Sequence, residues 1–204
     1  MAQKNGASTT HPRQVSTHGP ENAEHEIKKA YNCVIESGTT WFWDRHRGSP
    51  SGVQPDEVAT LYKRAYKAFR NDDRLTAERW ARTAKHLARA HWHEAKILYL
   101  EPRIADLPYL EGASAEEYNL HERSDTTEDL LNSVADHVPP GMNEMPELMR
   151  RYLVRGRKHL DTLKNPEYHH ELLRAERTKA AHEYGRVLEC MALAFEGEAT
   201  KKAA

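Results

Sequence analysis

From Arg74 to Leu100 the chain contains neither proline nor glycine, and this uninterrupted run limits the possible folds more than any other feature. About 27 residues at about 1.5 Å rise make a rod of roughly 40 Å, as long as a domain of this size is wide. A helix advances 100° per residue, so Ala77, Ala81, Ala84, Ala88, His91, Ala95 and Leu98, spaced by four and three in turn, line one seam. Side chains this small let another helix approach closely. Trp80, Leu87, Trp92 and Tyr99 are expected to close the flanks. The seam therefore reads as a packing surface, with His91 its single polar member.

The remaining periodicities are also helical. Between Pro20 and Arg45, the residues Ile27, Ala30, Tyr31, Val34, Ile35, Gly38, Trp41 and Phe42 recur three and four apart, until RGSPSGVQPD breaks the pattern. Asp56 is placed to cap a stripe of Val58, Leu61, Tyr62, Ala65 and Phe69 that ends at NDD, residues 71–73. After an irregular crossing at 101–113, Ser114 and then Asp125 or Thr126 read as caps of two short helices. The second of these carries Leu130, Leu131, Val134 and Val138 before the PPG stop at 139–141. Two long helices follow, 146–164 and 167–196, separated by NPE at 165–167. No segment alternates as a strand does, and Val and Ile are scarce beside Leu and Ala. The expectation is an all-α fold, a bundle of about six helices in one domain over 21–197. A polar tail (1–20) precedes it and a short tail (198–204) follows.

Charge narrows the partners. Lys plus Arg number 30 against 31 for Asp plus Glu, a net charge of -1, which removes the usual electrostatic argument for nucleic acid or an anionic membrane. So little self-repulsion leaves association unopposed, and a homo-oligomer is expected. With 38% hydrophobic and 30% charged residues, the apolar side chains must be gathered into stripes. Cys33 and Cys190 are the only cysteines and form no CxxC, which points to a reducing cytoplasm. No segment approaches 18 apolar residues and no secretory leader is visible. Thirteen histidines would move the net charge to about +12 if all were protonated at ordinary pKa values, so a pH response is conceivable.

The stretch AKHLARAHWHEAK (84–96) raises the question of a metal, because His86, His91, His93 and Glu94 are metal-binding residue types. On a helix, His86 and His93 fall about 160° from His91, so the three cannot share an ion. His91 is expected instead to be a hydrogen-bonded core histidine. The alternative is a transition-metal site in which His91, Glu94, His170, Glu176 and Glu183 converge, with the last helix also supplying a row of His169, Glu176 and Glu183. A ferritin-like di-iron bundle, an oxidase or metal store, uses two Glu-x-x-His pairs and two further glutamates. The long helices show one such pair, Glu167 and His170.

Residues 58–91, VATLYKRAYKAFRNDDRLTAERWARTAKHLARAH, place Leu61, Ala65, Ala77 and Ala84 at large-then-small spacing and so resemble one tetratricopeptide-type helical hairpin. Ala68 and Ala81 stand where that repeat usually has aromatics, Arg89 replaces its closing proline, and no second copy follows. The resemblance implies stacked helical hairpins presenting a groove for a peptide or protein, and no catalysis. WFWDRHR adds three consecutive aromatics in three directions, so Trp41, Phe42, Trp43, Arg45 and Arg47 are candidate partner-binding residues. There is no nucleophile elbow and no glycine-rich phosphate loop. The sequence thus points to a non-catalytic scaffold binding a protein partner or itself, without a cofactor.

Overall fold

The computed structural model describes residues 19–46, 55–106, 120–165 and 170–203, excluding the side chains of 40–46, 55, 104–106, 120–123 and 202–203. Among the described residues there are six α-helices and no strand. They are α1 (Ala23–His46), α2 (Pro55–Arg70), α3 (Arg74–Leu100), α4 (Leu120–Ala135), α5 (Glu147–Leu163) and α6 (Glu171–Ala203). The fold is all-α, as expected. Residues 1–18, Arg47, the Ser114 cap and residues 166–169 lie outside the described residues.

Several boundaries differ from the sequence reading. Asp56 lies in the first turn of α2 rather than at its cap, because Pro55, with φ already set for a helix, starts it one residue earlier. The last helix begins at Glu171 rather than 167, His170 standing outside it. Asp125 and Thr126 lie inside α4 rather than at its cap, because the preceding Leu120, Glu122 and Arg123 are strong helix formers that carry the helix further back. At the other end α6 continues to Ala203, past the apolar stripe that ends at Phe195. Polar ties hold this extension. Trp80 donates its indole N–H to Glu198 at 2.8 Å, and Lys201 reaches Asp73 at 3.0 Å.

Those ties also show the direction of packing, since rising numbers on α3 meet falling numbers on α6. The antiparallel α3–α6 pair forms the spine. α1 and α2 pack on α3, while α4 and α5 pack on α6. α2 and α3 form a hairpin whose turn closes by a Schellman motif, in which Asp73 N–H donates to Ala68 C=O and Asp72 N–H to Phe69 C=O. Asp72 takes the left-handed conformation there (φ 54°), which Asp tolerates better than most residues. The Asp73 carboxylate then caps α3 by accepting from Thr76 N–H.

The first five members of the alanine seam are inside, and the last two, Ala95 and Leu98, are half-buried. Ala77, Ala81, Ala84 and His91 are fully buried and Ala88 nearly so. Trp80 packs edge-to-face on Phe195 with ring centroids 5.2 Å apart. Trp92 and Tyr99 depart from expectation, because they are 48% and 42% exposed. At that end of α3 the flank faces solvent, and each ring carries a cation instead, Lys96 at 5.5 Å and Arg103 at 4.1 Å. Two glycines set the closest approaches of the second half. A Cβ on Gly156 would stand 3.0 Å from Leu131 and 3.2 Å from Tyr184, and one on Gly185 would stand 2.6 Å from Leu130. No described helix is long and apolar enough to cross a membrane.

Candidate functional site

Much of the buried polar chemistry among the described residues lies where α3, α5 and α6 meet; a buried pair, Lys85 with Glu26, also ties α3 to α1. His86 and His93 lie one heptad apart on the α6-facing side of α3, and Glu183 and Glu176 lie one heptad apart on α6. Antiparallel packing pairs them rung by rung. His86 Nδ1 meets Glu183 at 2.6 Å, and His93 Nδ1 meets Glu176 at 2.6 Å. Burial pushes the Glu176 carboxyl up, but bonds from His93 and Lys179 outweigh it and bring it to about 2. Glu183 is lowered in the same way, burial being outweighed by His86. The His86 imidazole is itself lowered by burial, against the pull of Glu183. The first rung is thus a neutral imidazole whose Nδ1–H donates to an ionised carboxylate.

A second cluster centres on Glu94. His159 meets it at 3.1 Å and Arg155 at 3.4 Å. The donor roles follow from Arg177, which reaches His159 Nδ1 at 3.3 Å. A guanidinium only donates, so Nδ1 accepts, and the imidazole proton sits on Nε2 facing Glu94. His159 also stacks on Tyr184 (6.1 Å), which stacks on Tyr152 (6.0 Å). Tyr152 in turn donates to Glu57 of α2 at 3.1 Å. Glu94 stays ionised, since His159 and Arg155 outweigh the cost of its burial. Burial raises the Tyr152 and Tyr184 phenols and pushes the Cys190 thiol up to about 12. In this cluster Glu94 is ionised and the phenols are protonated, and the free thiol of Cys33 is raised by burial as well. The arrangement can fix helix register and orient dipoles. It activates neither thiol as a nucleophile.

His91 is a different case. It is fully buried in the seam as expected, but neither ring nitrogen has a hydrogen-bond partner among the described residues. The expectation of a hydrogen-bonded histidine is corrected there, because the neighbours on its own face are alanines. Burial holds the imidazole down at about 4, so it is neutral near pH 7. Nor do the five candidate ligands converge. Glu94 is engaged by His159, Glu176 by His93 and Glu183 by His86, while His170 precedes α6 with its Nδ1 unpartnered. Among the described residues no three His, Cys, Asp or Glu gather as a ligand set.

The side chains of Trp41, Phe42, Trp43 and Arg45, and all of Arg47, lie outside the described residues. α1 nevertheless presents a surface about two to three turns earlier. Tyr31 and Ile35 are 51% and 54% exposed, and Tyr31 meets Tyr62 of α2 at 5.8 Å. Tyr62 stacks in turn on Tyr66, 6.3 Å away and 45% exposed. Beside this row a groove of about 400 Å³ runs between α1 and α3, lined by Cys33, Ser37, Ala88 and Trp92 among others. A second basin of about 410 Å³, carrying Arg150, Arg151 and Arg155 with Glu57 and Glu147, opens over Tyr152.

Sequence reasoning overlooked His159, Arg155 and the tyrosine row. The signal for His159 was a polar residue within the apolar stripe of Tyr152, Leu153, Gly156, Leu160 and Leu163. The signal for the ladder was two equal spacings of opposite chemistry. Comparison with protein-family models, with curated proteins and with solved structures finds no match to this chain.

Proposed function

We propose that the chain is a non-catalytic helical scaffold, working in the cytoplasm, that binds a protein partner or another copy of itself. The observation that carries this reading is the continuous apolar face of α1 and α2, where Tyr31, Ile35, Tyr62 and Tyr66 lie together and three of the four are about half exposed. Monomeric proteins seldom leave such a patch uncovered without a use for it, and tyrosines are favoured at protein interfaces. Behind it stands a rigid support, because α3 is clamped to α6 by the two His–Glu rungs. The resemblance of α2 and α3 to a tetratricopeptide hairpin favours the same reading. So does the protonated state of both thiols.

A photo-crosslinking amino acid placed at Tyr66, in the full chain and in its own cells, tests this. The expected result is one or a few discrete protein adducts, absent when the crosslinker replaces Lys158 on the exposed side of α5. The reading fails if position 66 yields no adduct, or the same smear as position 158.

A further inference from the structure

The exposed charges of α2 and α4 say what the apolar face docks against. On α2, Lys63, Lys67 and Arg70 fall within about 60° of one another on the helix and are exposed. None has an ion-pair partner among the described residues. Tyr66 stands beside them on the same face, and Tyr31 and Ile35 continue the surface on α1. In a chain of net charge -1, such a cationic row must be balanced elsewhere.

The balance is on the other half of the molecule. Asp125, Asp129 and Asp136 lie within about 40° of one another along α4 and just past its end, exposed and likewise without an ion-pair partner among the described residues. Arg157 touches the edge of this row at Asn132, 3.4 Å away, and leaves the three aspartates open. Val138 and Met142, 43% and 39% exposed, follow it directly. Each surface is therefore a charged row flanked by an apolar patch, and the two rows carry three charges each, of opposite sign.

We propose that the α1–α2 face docks the α4 face of a second copy of this chain. The inference rests on the scaffold reading and names its partner. Because two different surfaces pair, the contact is head-to-tail, and every copy retains one free face of each kind until a ring closes. Opposite charge steers and orients the encounter, and the apolar flanks supply the desolvated area.

Sedimentation velocity on the full chain tests this up to about 100 μM, a concentration that reveals even a weak interface. The wild type is expected to associate, and to do so on the order of tenfold more weakly in 1 M salt, where screening shortens to about 3 Å. The triple variant K63E/K67E/R70E and the triple variant D125K/D129K/D136K should each sediment as monomers. Mixed one to one, they should associate again, since each now offers the sign that the other lacks. That recovery also shows that both variants are folded. A monomeric wild type, variants that associate as the wild type does, or a mixture that stays monomeric would each overturn the proposal. An in-cell adduct of Tyr66 with a different protein, beside a monomeric wild type, overturns self-docking and leaves the scaffold reading standing. Loss of both results overturns both.

Discussion

His86 and His91 stand on the same helix, one turn and a half apart, and both are buried, yet the molecule treats them in opposite ways. On the face of α3 turned to α6, the imidazole of His86 has a carboxylate 2.6 Å away. On the alanine face, the imidazole of His91 has nothing to bond to among the described residues. The difference lies in what surrounds each ring. Against α6 the neighbours are long side chains that can bring a carboxylate across the interface. In the seam they are methyl groups, which allow close packing and supply no acceptor. Burial alone therefore does not determine what a histidine contributes. A partnered ring stabilises the α3–α6 register, while an unpartnered ring costs the loss of its hydration.

Acid should separate the two faces most strongly. His91 titrates near 4 when folded against 6.5 when free, so below pH 6.5 the unfolded chain takes up a proton that the folded chain refuses. Stability then falls as pH drops, by about 3 kcal/mol at pH 4. The lowered carboxylates of Glu94, Glu176 and Glu183 act with the same sign over a lower range, their contribution being present above 4.5 and lost as pH falls toward their folded values. Replacing His91 by Leu should raise stability by about 1 kcal/mol at pH 7, because an unsatisfied polar group disappears. It should also remove the share of the loss between pH 6.5 and 4 that His91 contributes, the His86 imidazole, lowered by burial too, supplying the remainder. Urea denaturation at pH 7, 5 and 4 measures both effects. Equal pH slopes in the variant and the wild type would mean that His91 has a partner after all.

The opposite sign is expected across the helix. His86→Leu leaves the Glu183 carboxylate largely buried without its bond, at a cost of about 2–3 kcal/mol, what losing a buried hydrogen bond to a charged group costs. If His86→Leu and His91→Leu shift the urea midpoint in the same direction at pH 7, the contrast between the faces is wrong. Between these in kind stands Ala84→Leu, which overfills the seam without touching a polar group. It should cost about 2 kcal/mol and leave the pH profile unchanged. Unaltered thermal stability in this variant would place Ala84 in open space.

How much of this was legible follows from what a single helix can encode. The rod from Arg74 to Leu100, its buried alanines and its hairpin with α2 are local patterns, fixed by 100° per residue and by the turn at Asn71–Asp73. Trp92 and Tyr99 were misplaced because a helical wheel reports direction and is silent on where the neighbouring helix ends. The pairing of His86 with Glu183 and His93 with Glu176 needs the α3–α6 register, a tertiary quantity. Both seven-residue rows were visible, and only their alignment was not. With His91 taken as the common ligand, Glu176 and Glu183 were assigned to the wrong imidazole. Arg155 and His159 joined the cluster from α5, whose position over Glu94 no local pattern announces.

The two rungs themselves differ, and the smallest expected effect tests why. Glu176 keeps Lys179 at 3.1 Å and Lys96 at 3.8 Å when His93 is removed. Among the described residues no lysine or arginine is seen to bond Glu183 directly, and Arg89 and His182 act on it as more distant charges. His93 is also the more exposed of the two imidazoles, 17% against 10% for the side chain. His93→Leu should therefore cost about 1 kcal/mol, less than half the effect of His86→Leu, since the remaining ammonium groups, themselves partly in water, continue to neutralise the buried carboxylate. Adding Lys179→Met to His93→Leu removes the nearer backup. The pair should then cost about 1 kcal/mol more than the sum of the two single changes, read as a coupling energy in a double-mutant cycle. Strict additivity would show that Lys179 does not support the rung, and that the greater exposure of His93 alone accounts for its weaker effect.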